Sequence, residues 1–215
     1  MNATGVELAV KIPPIGLIGD LAIPAQAAGA VVFAHGSGSS RHSPRNRYVA
    51  SVLQEAGFAT LLLDLLTAAE ESLDLVTGDL RFDIPLLSDR LVQATDWLAR
   101  SEEACSLSIG YFGASTGAAA ALVAAARRPA IAAVVSRGGR PDLAGSALLE
   151  VRAPTLLIVG GNDNVVIRLN EDALALLRTE KELAIVPGAT HLFEERGALE
   201  QVAAMAARWF ERYLK

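Results

Sequence analysis

The sequence predicts an α/β protein with a mainly parallel sheet of about seven to eight strands and helices on both faces. Short continuous apolar runs such as "AGAVVFAH" (28–35), "FATLLLDLL" (58–66) and "PTLLIVGG" (154–161) are typical of strands buried on both faces. Helical stretches separate them, and alternation of strands with helices produces a parallel sheet. The chain has 215 residues, 52% of them hydrophobic, and no linker-like stretch, so we expect a single domain over residues 1–215.

The first half of the chain contains two short strands before the alternation begins. Pro13-Pro14 separates predicted strands at 6–12 and 15–23, because a proline pair does not continue a central strand. Ser43-Pro44 supplies an N-cap followed by proline, which predicts a helix to about Ala56. The remaining predicted elements are a loop at 67–83, helices at 84–100, 116–127, about 168–179 and 195–214, and strands at 107–112, 130–136, 154–161 and 182–187.

Charge and composition argue against several classes of function. The net charge of −5 argues against the concentrated basic face that nucleic-acid binding requires. No apolar run is long enough to span a membrane, and the N-terminus lacks the basic start and apolar centre of a signal peptide. The single cysteine, Cys105, cannot form an internal disulfide, which indicates a cytoplasmic protein. Only three histidines occur, with no acid at ligand spacing, so we expect neither a metal nor an organic cofactor.

The loop after the first parallel strand is rich in glycine. It reads HGSGSS (35–40), and its small residues would let backbone amides approach a ligand closely. An oxyanion hole is one interpretation. A flexible turn or a phosphate-binding loop would look similar, although Arg41 stands where a dinucleotide-binding loop needs its third glycine. His35 is expected to brace this loop.

The strand at 107–112 leads into Gly113–Gly117, which matches the nucleophile elbow G-x-S-x-G. A serine on a sharp strand-to-helix turn needs small neighbours two positions away on either side. The following helix directs its amides and its positive dipole end toward the serine. A simple turn would also use these glycines. The strand before and the helix after favour Ser115 as a nucleophile.

Two later strand ends carry an acid and an imidazole. Asp163 follows the strand at 154–161, where an Asx turn or helix cap is the alternative interpretation. His191 follows the strand at 182–187, where a surface-loop histidine is the alternative. Together with Ser115 they give the order Ser, Asp, His, each after its own predicted strand. This order predicts a catalytic triad, because a serine hydroxyl needs an imidazole base and the imidazole needs an orienting acid.

At this point the chain resembles the α/β-hydrolases, and among them the dienelactone hydrolase-like proteins, from about Ala30 onward. The motifs that carry the resemblance are His35–Gly38, Gly113–Gly117, "IVGGNDNVV" around Asp163 and "PGATHLFEE" around His191. The resemblance implies an α/β-hydrolase fold with Ser115 as nucleophile, His191 as general base and acid, and Asp163 as its orienting partner. It also implies an oxyanion hole made by the backbone amides of Ser37 and Thr116.

One residue departs from the family pattern. Dienelactone hydrolases in the strict sense use a cysteine nucleophile, whereas this chain has Ser115, and Cys105 lies before the strand. The resemblance therefore implies a serine esterase that cleaves a small carboxylic ester or lactone through an acyl-enzyme. Acyl transfer and peptidase activity use the same residues, and a non-catalytic binding protein on the same fold is a further alternative. The oligomeric state is left open.

Features around the predicted site bear on the substrate. About 17 residues separate Ser136 from Pro154, too few for a large cap domain, so we expect an open site. Arg41 lies beside the glycine-rich loop, and Arg137 and Arg140 follow the strand at 130–136. These arginines suggest a subsite for a substrate carboxylate or phosphate. Solvated surface charges are the alternative interpretation.

Overall fold

The computed structural model describes residues 5–215, so the first four residues of the N-terminal segment considered above lie outside it. Its strands are β1 (Val6–Ile12), β2 (Leu17–Ile23), β3 (Ala30–Ala34), β4 (Ala59–Leu63), β5 (Ile109–Ala114), β6 (Ala133–Arg137), β7 (Thr155–Gly160) and β8 (Lys181–Val186). Its α-helices are α1 (Pro44–Glu55), α2 (Ala68–Thr77), α3 (Ile84–Leu98), α4 (Thr116–Arg127), α5 (Asn164–Leu176) and α6 (Ala198–Leu214).

All eight strands join one sheet in the order β1-β2-β4-β3-β5-β6-β7-β8. β2 pairs antiparallel with both β1 and β4, and every pairing from β4 to β8 is parallel. The five central strands are buried along their whole length, as their continuous apolar sequences require. The predicted α/β-hydrolase architecture, a mainly parallel sheet flanked by helices, is confirmed.

Two hydrophobic cores cover the two faces of the sheet. One core contains residues of α1 and α6, which also contact each other, and the other contains residues of α3 and α4. α4 is almost entirely buried, because its alanine-rich sequence lets it lie close to the sheet. α6 presents a stripe that includes Val202, Ala206 and Phe210 to the core.

The strand order reverses beside β3. β4 follows β3 along the chain on one side, while the next strand, β5, lies on the other side of β3. In open α/β sheets a crevice forms at such a reversal, beyond the carboxyl ends of the strands. The loop after β3 and the turn after β5 therefore meet at one point, and they carry Ser37 and Ser115.

Residues 67–83 are not the predicted loop. They contain α2 and a 3-10 turn at Leu80–Phe82. Thr67 and Glu70 form a capping box, and Gly78 ends the helix with φ 73°. The spacing Thr-x-x-Glu was a readable helix signal that the prediction overlooked.

Two further observations concern the connections and helices. The connection between β6 and β7 is a short 3-10 segment, Pro141–Glu150, that bends at Gly145, and it leaves no room for a large cap domain. α5 begins at Asn164, four residues before the predicted start, with Asp163 at its N-cap position. No helix within residues 5–215 has the length and apolar character needed to cross a membrane.

Candidate active site

Ser115 occupies a strained turn between β5 and α4. Its φ of 51° and ψ of −122° lie in a region that residues other than glycine rarely adopt. Its amide donates to the Arg137 carbonyl at 3.2 Å, and its carbonyl accepts from the Arg140 amide at 3.1 Å. These bonds to the β6 end hold the strained conformation. Backbone strain of this kind is typical of functional sites.

The two glycines of the elbow are required by close packing. A Cβ on Gly113 would lie 2.4 Å from the Ala118 Cα, so β5 and α4 meet there without room for a side chain. A Cβ on Gly117 would lie 2.3 Å from the Ala34 carbonyl oxygen. The second contact presses the start of α4 against the end of β3. The elbow and the glycine-rich loop are thereby brought together.

Asp163 and His191 form a hydrogen-bonded pair. His191 Nδ1 lies 2.7 Å from Asp163 Oδ2, with the aspartate side chain 16% exposed. Because the carboxylate accepts from Nδ1, it fixes the tautomer that leaves Nε2 free to take a proton. Asp163 stands at the N-cap position of α5, but its side chain makes no capping bond. The helix-cap interpretation of this residue is therefore wrong.

The loops that carry this pair are tied to each other. Asn162 donates through its backbone amide to the Ala189 carbonyl and through Nδ2 to the Gly188 carbonyl, both at 2.9 Å. A Cβ on Gly160 would lie 2.5 Å from the Ala189 oxygen, so the two strand ends approach closely. These contacts fix the position of the loop that carries Asp163 relative to the loop that carries His191.

Ser115 and His191 line the same cavity, which has a volume of about 230 Å³ and is called here the Ser115 cavity. Its lining residues are Gly36, Ser37, Ser39, Ser43, Arg45, Asn46, Ala114, Ser115, Arg137, His191 and Leu192. Within residues 5–215, Ser115 Oγ makes no hydrogen bond to the imidazole. Catalytic serines are often loosely placed until substrate binds.

The glycine-rich loop is held from behind by His35. The Leu65 amide donates to His35 Nε2 at 3.1 Å, so Nδ1 carries the proton and donates to the Gly36 carbonyl at 2.9 Å. Burial lowers the pKa of His35 and keeps the ring neutral, against smaller opposing effects of Asp64 and Glu71. His35 thus braces the loop, as the sequence suggested.

The two residues predicted to supply the oxyanion amides are in contact through a side chain. The Ser37 amide donates to Thr116 Oγ1 at 2.9 Å. Thr116 is the first residue of α4, so its own amide has no acceptor within the helix. The structure therefore brings Ser37, Thr116 and Ser115 to one point, with the Ser37 amide engaged by a side chain.

Of the three arginines predicted to bind substrate, only Arg137 lines the Ser115 cavity. It is 6% exposed, its Nε has no hydrogen-bond partner, and among residues 5–215 no carboxylate pairs with it. Its Nη2 makes a long bond of 3.4 Å to Asn46 Oδ1, and its guanidinium lies 5.9 Å from the Phe193 ring centre. Burial and the nearby Arg45 lower the pKa of Arg137 to about 10.

Arg41 and Arg140 are directed elsewhere, contrary to the prediction that they bind substrate. Arg41 pairs with Asp64 and lies 3.5 Å from Asp20. Arg140 makes a two-pronged pair with Asp142, at 2.8 and 2.7 Å. Carboxylates close to these arginines in sequence or across the sheet already neutralise them, and neither lines the cavity.

The sequence prediction missed Asn46, a buried polar residue of the same cavity. It is 2% exposed and lies on the buried stripe of α1 with Val49, Ala50 and Leu53. An asparagine on an otherwise apolar helix stripe was a signal that could have identified it. Arg45, beside it, also lines the cavity and pairs with Glu194 at 3.2 Å.

A second cavity, of about 270 Å³, lies on the other side of the glycine-rich loop, beneath α2, and is called here the α2 cavity. Its lining residues are His35, Gly36, Ser37, Gly38, Ser39, Ser40, Asp64, Leu65, Leu66, Glu71, Asp74, Leu75, Arg81, Leu87 and Thr116. Asp74 accepts from Arg81 Nε at 2.7 Å and from the Arg81 amide at 3.0 Å. Residues 5–215 contain no group of His, Cys, Asp and Glu side chains arranged to hold a metal ion.

Comparisons with solved structures agree with this architecture. A crystal structure of a dienelactone hydrolase from Anabaena variabilis is 63% identical, covers 98% of this chain and 99% of its own, and superposes with a TM-score of 0.96. Carboxyl esterase 2 from the fungus Tuber melanosporum is 18% identical, covers 99% of this chain and 88% of its own, and gives a TM-score of 0.73. The second likeness shows the fold alone.

Curated relatives and a family model complete the comparison. Two Mycobacterium tuberculosis proteins, from strains CDC 1551 and H37Rv, are 59% identical over 209 residues and carry the name "Putative phosphoribosyl transferase". The match covers 97% of this chain and 46% of theirs, so the chain spans about half the length of those relatives. The model of the dienelactone hydrolase family matches residues 19–215. The chain therefore belongs to the dienelactone hydrolase family of α/β-hydrolases.

Proposed function

We propose that this chain is a serine hydrolase that cleaves a small carboxylic ester or lactone carrying an anionic group. The observation that supports it most is the joint position of Ser115 on a strained elbow and His191 on the same cavity, with Asp163 bonded to the imidazole at 2.7 Å. A serine nucleophile requires a base and an acid that orients the base, and a strained elbow is the position that the serine takes in this fold.

The reaction proceeds in two halves. Ser115 Oγ attacks the carbonyl carbon while its proton passes to His191 Nε2, and the carbonyl electron pair moves onto oxygen. Collapse of this intermediate breaks the bond to the leaving oxygen, which takes the proton from His191. Water, deprotonated by the same imidazole, then releases the acid from Ser115. Asp163 stabilises the imidazolium that forms in each half.

An anionic substrate is supported by Arg137. Its buried guanidinium lacks a carboxylate partner among residues 5–215, while it lines the cavity that contains Ser115. A buried charge without a partner is costly, and a carboxylate or phosphate on the substrate would supply one. Asn46, whose Oδ1 accepts from Arg137, lines the same wall.

Alternatives on the same residues remain distinct hypotheses. An acyltransferase would use the same acyl-enzyme with another nucleophile in place of water, and a peptidase would release an amine. A non-catalytic binding protein would need neither the strained serine nor the Asp163–His191 pair. The name of the Mycobacterium relatives refers to proteins of about twice this length. The strained serine and the Asp163–His191 pair favour a catalytic role over a binding role.

A fluorophosphonate probe tests the proposal. Wild type should be labelled, and both labelling and hydrolysis of p-nitrophenyl acetate should be lost in Ser115→Ala, with kcat reduced by roughly 10³-fold or more. Ser146→Ala is the matched control, because Ser146 is exposed and lines neither cavity. A folded wild type that neither reacts with the probe nor hydrolyses any short ester would refute the proposal.

A further inference from the structure

The side chain of Thr116 has a position that a backbone-only oxyanion hole does not explain. Thr116 is 3% exposed, and its Oγ1 accepts the hydrogen bond of the Ser37 amide at 2.9 Å. The hydroxyl thus stands at the donor that the family pattern assigns to the oxyanion. The position after a nucleophile serine needs no hydroxyl for its backbone amide to act.

A hydroxyl group has one proton to donate as well as lone pairs to accept. Thr116 Oγ1 accepts from Ser37, and within residues 5–215 no acceptor takes its own proton. Leaving a buried donor unsatisfied is unfavourable. Thr116 itself lines the α2 cavity, and Ser37, whose amide holds the hydroxyl, lines both cavities. An oxygen bound at the Thr116 amide, next to Ser115, would therefore lie within reach of this hydroxyl.

We propose that the Thr116 hydroxyl is itself an oxyanion donor, and that the Ser37 amide acts through it. The developing negative oxygen would accept from the Thr116 amide and from Thr116 Oγ–H, while Oγ1 accepts from Ser37. This inference rests on the proposed hydrolysis by Ser115. It changes the composition of the oxyanion hole from two backbone amides to one amide and one hydroxyl.

Neighbouring contacts support this arrangement. His35 Nδ1 donates to the Gly36 carbonyl, and the amide at the other end of that peptide plane, that of Ser37, is directed the opposite way, toward Thr116. A hydroxyl that accepts one hydrogen bond becomes a stronger donor of another, so the Ser37 amide polarises it. The N-terminus of α4 adds its positive dipole end at the same point.

The competing arrangement makes the opposite prediction. If the Ser37 amide bound the oxyanion directly, the Thr116 hydroxyl would occupy that donor and would have to leave before the reaction. Removing the hydroxyl would then free the amide and keep or raise kcat. The two arrangements therefore differ in the sign of the effect of one substitution.

Thr116→Val is the decisive variant, since valine keeps the shape of threonine without the hydroxyl. We expect kcat to fall by roughly 10²- to 10³-fold with little change in KM, the effect of removing one oxyanion donor. Thr116→Ser keeps a hydroxyl and should retain activity within roughly tenfold of wild type. A Thr116→Val enzyme as active as wild type, or an equal loss in the Val and Ser variants, would overturn the proposal.

A transition-state mimic gives a second readout. A trifluoromethyl ketone adds to Ser115 and places a negative oxygen in the hole, so its affinity should fall in Thr116→Val by about the same factor as kcat/KM. If the valine variant does not fold, as checked by circular dichroism, Thr116→Ala introduces no larger group and carries the same expectation. Unweakened ketone binding in either variant contradicts the proposal.

Failure of this inference is separable from failure of the proposed function. Fluorophosphonate labelling of wild type and its loss in Ser115→Ala test Ser115 alone. The Thr116 variants are compared only through activity that Ser115→Ala abolishes. An active enzyme that is insensitive to Thr116→Val would keep the hydrolase and reject the hydroxyl donor.

Discussion

Two cavities meet at the glycine-rich loop, and they differ in whether the charged side chains that line them are paired. In the α2 cavity two of the three carboxylates form ion pairs, since Asp74 pairs with Arg81 and Asp64 pairs with Arg41. In the Ser115 cavity Arg137 is buried without a carboxylate among residues 5–215. Charges that are paired within the chain need no further partner. Under the proposed function, the anionic group of the substrate supplies the partner that Arg137 lacks.

The unpaired charge has a cost in stability. Burial lowers the pKa of Arg137 from 12.5 to about 10, which corresponds to roughly 3 kcal/mol against the folded state at neutral pH. This cost is present below pH 10 and is relieved as the pH rises from there toward the unfolded value. A chain selected for stability alone would replace this arginine.

The largest expected effect is on substrate selectivity. Arg137→Met should lower kcat/KM for an ester with a carboxylate on its acyl group by roughly 10- to 100-fold, the worth of a hydrogen bond to a charged group. Neutral esters should be affected much less. The measurement is kcat/KM for matched anionic and neutral p-nitrophenyl esters.

Arg81→Gln is the control for this experiment, because Arg81 lies in the α2 cavity and is already paired with Asp74. It should leave the ratio of anionic to neutral activity unchanged. Equal losses on both esters in Arg137→Met would mean that the arginine has a structural role only.

The next effect is on stability, and its sign is unusual for a buried residue. Arg137→Met should raise the free energy of unfolding by about 1–3 kcal/mol, because it removes a buried charge without a partner. Urea denaturation at pH 7 measures it. A strongly destabilised variant would show that Asn46 and Phe193 already satisfy the guanidinium.

A smaller effect concerns acidification near the α2 cavity. The folded chain binds a proton on His35 less readily than the unfolded chain, because burial lowers its pKa from 6.5. The contribution of neutral His35 is therefore complete above about pH 6.5 and is lost progressively as the pH falls below it. Thermal unfolding across this range should show a shallower pH dependence in His35→Gln than in wild type.

His42→Gln provides the matched comparison, since His42 is exposed and its amide donates to the Ser40 hydroxyl. Its pH dependence should follow wild type. If the stability of His35→Gln falls with decreasing pH as steeply as that of wild type, protonation of His35 is not the cause of the acid destabilisation.

The smallest effect is expected from the arginines that the structure directs away from Ser115. Arg140→Gln removes a pair with Asp142 and should change the free energy of unfolding by about 1 kcal/mol or less. The ratio of anionic to neutral ester activity should stay within about twofold of wild type. A selective loss on anionic esters would return Arg140 to the substrate site.

The sequence was sufficient for the sheet and for the three residues that follow its strands. Buried parallel strands can be recognised as continuous apolar runs. Because the carboxyl ends of parallel strands lie at the same edge of the sheet, the residues that follow them lie at that edge too. Ser115, Asp163 and His191 were predicted on that basis. Their catalytic roles stay predictions until the variants are measured.

Side-chain direction could not be predicted in the same way. Arg137 is the last residue of β6 and Arg140 lies three positions later, yet only Arg137 lines the Ser115 cavity, since Arg140 pairs with Asp142. This pairing depends on the turn at Gly138 and on the 3-10 segment that follows, which are tertiary features. The sequence predicts an oxyanion role for the Thr116 amide, whereas in the structure the Thr116 hydroxyl accepts the hydrogen bond of the Ser37 amide.

The contact of Gly117 with the end of β3 also bears on how the substrate range of such an enzyme can be changed. A side chain at this position would collide with the oxygens of Ala34 and His35, at 2.3 and 2.4 Å. A shift there would displace Ser115 and the proposed oxyanion donors at once. Engineering for new esters should therefore leave the contact between Gly117 and β3 unchanged. The walls to vary are those that this contact does not support, α2 on one side and the start of α1, with Arg45 and Asn46, on the other.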